Sequence, residues 1–166
     1  MRNSSNRFAV QALRRTLGAT LAGILGIGAS HVALAQAPRV IELTQAPCQF
    51  LESEGVDHGY TSRSIKDCEA INAKTAKQRV AQSKPLELKP GKYLFRVANK
   101  NVPYELGFWL RGASAAGGRI ALPSVSGGGI FTGKARDYEI DLKPGEYLYS
   151  CPLNTTPDYK LVVKQP

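Results

Sequence analysis

Three thiols carry the reactive chemistry of this 166-residue chain: Cys48, Cys68 and Cys151. Cys151 stands in the stretch Tyr149-Ser150-Cys151-Pro152-Leu153-Asn154-Thr155-Thr156-Pro157-Asp158-Tyr159. A strand-like run from Gly145 to Ser150 delivers it, a Pro- and Thr-rich loop follows, and a second strand-like run spans Asp158 to Lys164. A cysteine so placed reads first as a small buried hydrophobe at a strand end. A reactive thiol would need a base or a positive charge beside it, and no such residue is adjacent in sequence. A third reading makes Cys151 a non-standard metal ligand helped by Glu105, His58 or a second subunit. Cys48 and Cys68 are expected to pair with each other, because that bridge is local and leaves Cys151 free. Closing their loop would contribute roughly 3 kcal/mol on the chain-entropy estimate. The sharper alternative, a metal held by Cys48, Cys68 and His58, fits no zinc spacing.

Other motifs fade on inspection. Gly128 to Lys134 imitates the phosphate-cradling G-x-x-x-x-G-K, but Ala135 replaces the needed hydroxyl and a strand pattern follows where a helix should. Asp57-His58 has no nucleophile beside it in sequence. Asn154-Thr155-Thr156 matches a glycosylation sequon. No acid/base pair and no nucleophile with a base can be assembled, which argues against an enzyme.

The chain opens with features of an export signal. Arg2, Arg7, Arg14 and Arg15 form a basic front without an acidic residue, Leu17 to Ile27 is a short apolar core, and Ala35-Gln36-Ala37 suits cleavage. The apolar core is too short for a stable membrane anchor, so no anchor is expected after cleavage. The Arg14-Arg15 pair matches a twin-arginine signal only loosely, and general secretory export is expected. Residues 38–166 would then form one domain with one core. The 22 basic residues, less the four of the signal, stand against 13 acidic ones and leave a charge of +5. No Lys/Arg run of the kind that tracks a phosphate backbone is present, and nucleic acid is not an expected partner. Export to a periplasmic or secreted location places the cysteines where disulfides persist.

The elements that must position Cys151 follow from periodicity. Arg39 to Thr44 alternates as a first strand. Glu52 to Tyr60 is polar and reads as a loop. Ser64 stands three residues before Asp67, a capping-box start, and Ile65, Cys68, Ile71 and Val80 recur at helical spacing, predicting one helix over about 63–82 that ends before Lys84-Pro85. Leu86-Glu87-Leu88-Lys89-Pro90-Gly91-Lys92-Tyr93-Leu94-Phe95 repeats in Ile140-Asp141-Leu142-Lys143-Pro144-Gly145-Glu146-Tyr147-Leu148-Tyr149, each a strand, a Pro-Gly turn and a strand. Tyr104 to Arg111, Arg136 to Leu142 and Asp158 to Lys164 complete the strands. Gly112 to Gly129 reads as a long mobile loop in which Arg119, Ile120, Leu122 and Val125 could dock a partner. Seven or so short strands with one helix predict an all-β sandwich or open barrel.

The pieces LKPGKYLFRVANKNVPYELGF and LKPGEYLYSCPLNTTPDYKLVV resemble, in the same order, the metal-bearing half of the cupredoxin family, over roughly residues 85 to 164. The resemblance implies a cupredoxin-like Greek-key β-sandwich with one inserted helix. It also implies where copper ligands would fall. The cysteine maps to Cys151. The first histidine should follow Pro103, where Tyr104 and Glu105 stand. The second should fall within Leu153 to Thr156, at or near Asn154, and the axial methionine within Pro157 to Tyr159. The chain has two histidines and one methionine, and His31 and Met1 lie in the signal, so His58 is the single imidazole left and no methionine remains. Two imidazoles from one mature chain are unavailable, and an ordinary type 1 centre is not expected. Tyr104 and Asn154 could hydrogen-bond across the vacated site instead. The expectation is an exported, non-enzymatic protein with no cofactor that binds a protein partner within a redox or metal-handling system. The alternative is a copper carrier or electron carrier with unusual ligands around Cys151.

Overall fold

A computed structural model of the chain describes residues 37–113 and 122–165. The export signal, apart from Ala37, lies outside the described residues, as do Arg119 and Ile120. Nine strands and two helices follow in order: β1 (Arg39–Ala46), β2 (Gln49–Phe50), α1 (Leu51–Glu54), α2 (Ile65–Gln82), β3 (Leu86–Leu88), β4 (Gly91–Asn99), β5 (Leu106–Gly112), β6 (Val125–Ile130), β7 (Ala135–Leu142), β8 (Gly145–Ser150) and β9 (Tyr159–Val163). The strands form two sheets, in the orders β2-β1-β4-β7 and β3-β9-β8-β5-β6. The fold is thus the expected all-β sandwich, with β1–β4 and β3–β9 pairing in parallel and the other ladders antiparallel.

Alternation builds the core. Tyr93, Phe95 and Val97 on β4, Tyr138, Ile140 and Leu142 on β7, and Tyr147 and Tyr149 on β8 point inward at every second position. Phe50 anchors the centre edge-on, with ring centroids 5.6 Å from Tyr149, 5.8 Å from Tyr159 and 6.3 Å from Phe108. Each such burial stabilises by about 1.5–3 kcal/mol, and the edge-to-face geometry adds to it.

The repeat has a structural meaning that a hairpin reading misses. In the first copy the chain leaves β3 in one sheet and enters β4 in the other; in the second it leaves β7 and enters β8, crossing the opposite way. Each Lys-Pro-Gly turn is therefore a crossing between layers. In both copies the tyrosine donates its hydroxyl proton back to the lysine carbonyl four residues earlier, Tyr93 to Lys89 and Tyr147 to Lys143, each at 2.9 Å. Gly91 and Gly145 adopt positive φ at the crossings, where a side chain would be strained.

Two expectations need correction. The expected long loop ends early, because Val125–Ile130 is strand β6. The loop from Glu52 begins instead within a one-turn helix, α1, so the sandwich carries α1 besides the expected helix α2.

Candidate functional site: the buried surroundings of Cys151

The site begins with two strand ends. On β4 the inward row Tyr93, Phe95, Val97 finishes on Asn99, and on β1 the inward row finishes on Gln45; both polar side chains are buried. Gln45 donates from Nε2 to the Gly107 carbonyl at 2.8 Å. Asn99 accepts the Val102 N–H on Oδ1 at 2.9 Å and offers Nδ2 to the carbonyls of Val102, Tyr104 and Ile130 at 3.1–3.2 Å. These bonds fix the β4–β5 loop that would carry a first histidine. β8 then delivers Cys151, which is fully buried. Its Sγ accepts the N–H groups of Gly107 and Asn154, each at 3.3 Å, and its own N–H donates to Thr156 Oγ1 at 2.8 Å. Burial pushes the Cys151 thiol above its ordinary value, against the opposing pull of those N–H groups. It is a poor nucleophile at neutral pH.

Asn154 stands where the resemblance places the second histidine, and its side chain is spent on the fold. Oδ1 accepts the Cys48 N–H at 3.0 Å; Nδ2 donates to the Ala46 carbonyl at 2.9 Å and lies 3.4 Å from Gln45 Oε1. The amide is fully buried, so the sequon around it is inaccessible in the folded chain. Cys48 and Cys68 are joined, with Cα atoms 4.9 Å apart, and Cys151 is the free thiol. Cys48 takes a left-handed backbone, φ 67°, which a non-glycine residue holds only where its surroundings fix it. The disulfide and the Asn154 bond are those surroundings.

Tyr104 turns toward α2. Its hydroxyl lies 2.6 Å from Ser62 Oγ and 3.3 Å from the Ser64 carbonyl, and burial raises its pKa. Tyr104 and Asn154 do not bond each other: Tyr104 Oη is 3.7 Å and Asn154 Oδ1 is 3.3 Å from Cys68 Sγ. The disulfide meets both of them. Glu105 points elsewhere, accepting the Gly129 N–H of β6 at 2.6 Å. His58 stacks on Tyr60 and lies 2.7 Å from Glu54 Oε2. The two carboxylate and imidazole helpers considered for Cys151 are thus engaged with other partners. Among the described residues, no group of three or more His, Cys, Asp or Glu side chains is arranged to hold a metal. Leu122 and Val125 of the expected docking loop are half-buried against the core, which makes them anchors of the chain rather than free contacts.

The polar cluster under α2 escapes sequence reading. Glu54 accepts from Arg79 twice, at 2.6 and 2.9 Å, and also from Tyr159. Arg79 donates onward to Asn72 at 2.5 Å and to the Cys48 carbonyl at 3.0 Å, and Asn72 reaches the carbonyls of Cys48 and Thr155. Burial alone would raise the Glu54 pKa; the bonds from Arg79, Tyr159 and His58 outweigh it and hold the carboxyl below the usual range. The same network ties α2 to α1, to the Cys48 turn and to the loop after Cys151.

The strand order and pairing define a two-layered, mostly antiparallel β-sandwich, the architecture that the cupredoxin resemblance implies. Among solved structures the chain is similar to auracyanin B, at 14% identity and a TM-score of 0.46, with 78% of this chain and 92% of that one covered. It is also similar to a multi-copper oxidase from Pediococcus acidilactici, at 8% identity and a TM-score of 0.37, covering 82% of this chain but only 28% of the oxidase. No protein-family model and no curated protein matches the chain.

Proposed function

We propose that this chain is an exported, non-enzymatic cupredoxin-like protein that holds no type 1 copper and serves as a partner-binding module in a periplasmic redox or metal-handling system. The observation that carries the reading is Asn154: at the position of an expected imidazole ligand, the amide is committed to Ala46, Cys48 and Gln45, with the Cys48–Cys68 bridge packed against it. A metal ligand must be free to turn a lone pair to the ion, and this side chain is a structural pin. The signal-like residues 1–37 and the disulfide support export. No helix among the described residues is long and apolar enough to cross a membrane. A second reading, copper carriage with unusual ligands, is favoured by one feature: two N–H groups aim at Cys151 Sγ, as they would at a thiolate.

The discriminating experiment adds Cu(II) to the purified protein and records visible and EPR spectra. The expected result is no intense thiolate-to-copper band. Such a band at one copper per chain would overturn the proposal in favour of the carrier.

A further inference from the structure

We propose that the outward face of α2 is the docking surface of this protein, and that its partner presents an acidic protein surface. This deepens the partner-binding reading and rests on it.

The argument starts from where the charge lies. Residues 38–166 carry 18 basic and 13 acidic residues, a charge of +5. The segment 63–84 holds six of those basic residues (Arg63, Lys66, Lys74, Lys77, Arg79 and Lys84) and only Asp67 and Glu69 in return. It accounts for +4, and the remainder of the domain is nearly neutral. Within the segment, Arg79 is buried on Glu54 and belongs to the fold. Asp67 is drawn into the capping box with Ser64. The four lysines are exposed, and none of them makes an ion pair among the described residues. Elsewhere on the domain Lys100, Lys143 and Lys164 each have a carboxylate partner, while Lys89, Lys92, Lys134 and Lys160 are exposed without one among the described residues and lie on separate elements rather than in one row.

The lysines are also arranged. Lys66, Ala70, Ala73, Lys77 and Ala81 follow one another at spacings of four, three, four and four, which draws a single stripe along the helix. All five are exposed, and Lys74 flanks the stripe. Lys66 and Lys77 stand eleven residues apart, about 16 Å along the axis. The alanines between them keep the face low, so a partner can approach the backbone while the long lysine stems reach past it. The stripe carries no aromatic or large aliphatic side chain to enter a bilayer, as a surface-seeking membrane helix needs. Its chemistry fits carboxylates on a folded protein surface.

The helix is a rigid platform for this purpose. Its inner side is pinned by the Cys68 disulfide, by Arg79 and by Asn72, so little order remains to be imposed on binding. Exposed charge of this kind speeds encounter and weakens as salt screens it.

The test uses the protein as its producing cell processes it. Binding of a short fluorescent poly-L-glutamate is measured at low and at moderate salt for wild type, for K66E/K74E/K77E, and for a control of equal charge change, K89E/K134E/K160E. The expected result is a loss of tenfold or more in affinity for the α2 variant and less than twofold for the control, with binding falling as salt rises. Single reversals K66E, K74E and K77E each giving part of the loss guard against a folding artefact, as does an unchanged melting temperature. Equal losses in both triple variants would sink the proposal, because overall charge would then suffice. Tighter, lysine-dependent binding to phosphatidylglycerol vesicles than to poly-L-glutamate would also sink it, in favour of a membrane surface. Crosslinking in native extract separates this inference from the one beneath it. A protein captured equally by wild type and by K66E/K74E/K77E leaves the partner reading standing and removes α2 as its surface. Capture of no protein by either form removes both.

Discussion

Asn154, at the position where the cupredoxin resemblance places an imidazole, is at the scale of one residue a part of the frame. It bonds the Ala46 carbonyl and the Cys48 N–H at the turn between β1 and β2, where Cys48 takes its left-handed backbone. Replacing it with Ala would remove both bonds in a dry interior, where a polar group left unpaired costs about 1–3 kcal/mol. Asn154→Ala is therefore expected to destabilise by about 2–4 kcal/mol in urea denaturation. A change below about 0.5 kcal/mol, the range of an ordinary surface substitution, would mean that Asn154 pins nothing. The same variant should make Cys151 react faster with Ellman's reagent, since the Asn154 loop covers the thiol. The wild-type thiol is expected to stay nearly inert at pH 8, because burial holds it protonated. The strand and loop pattern leads to that thiol, which lies buried just past the end of β8. Of its neighbours, Asn154 is reached through the resemblance, while Gln45 and Asn99 belong to no motif. One signal could have found two of them: each of Gln45 and Asn99 is a polar residue at the inward parity of its strand, in line with Leu43 and with Val97.

At the scale of elements, the strands and the bounds of α2 were legible because alternation and capping are local. Ser64 and Asp67 form the expected reciprocal box, and the helix ends at Gln82, before Lys84-Pro85. Its inner face was not legible. Helical spacing pointed to Ile65, Cys68, Ile71 and Val80, whereas the buried positions are Cys68, Asn72 and Arg79, and Ile65 is 38% exposed. A helix held by a disulfide and an ion pair leaves no apolar period to read, and the pairing of Arg79 with Glu54 spans 25 residues. This attachment predicts an acid sensitivity. Glu54 titrates below its ordinary value of 4.5 in the fold, so its contribution is complete above that pH and is lost as pH falls through the lower, folded value. Glu54→Gln should flatten the acid limb of the stability profile. It should also destabilise at pH 7 by about 3–5 kcal/mol, since Arg79 is left buried without its counter-charge. The double variant E54L/R79M removes both charges and should recover much of that loss. A single variant as stable as wild type at pH 7, with an unchanged acid limb, would show that α2 does not depend on the pair.

At the scale of the molecule, the two sheets meet on tyrosines as much as on aliphatic residues, which gives the sandwich an alkaline limit. Tyr147, Tyr149 and Tyr159 are fully buried or nearly so. Burial pushes Tyr149 up to about 12, even with Ser53 bonded to its hydroxyl. Tyr159 is raised further, by burial and by the Glu54 carboxylate that accepts its proton. Tyr138 and Tyr147 are raised by burial as well. A raised folded-state pKa means that the fold favours the neutral phenol. The stability this supplies is whole below the unfolded value near 10 and is lost as pH rises through the folded values. Because these phenols fill one shared core, none can ionise in place without charging the interior. The chain is therefore expected to hold its sheets to about pH 10 and to lose them in one cooperative step above it. Absorbance at the phenolate band and the β-sheet circular dichroism should move together through that step. Tyr149→Phe should soften the pH dependence of the step, since it removes one of the groups that drive it. A smooth tyrosine titration with the sheet signal intact throughout would show that water reaches the space between the layers.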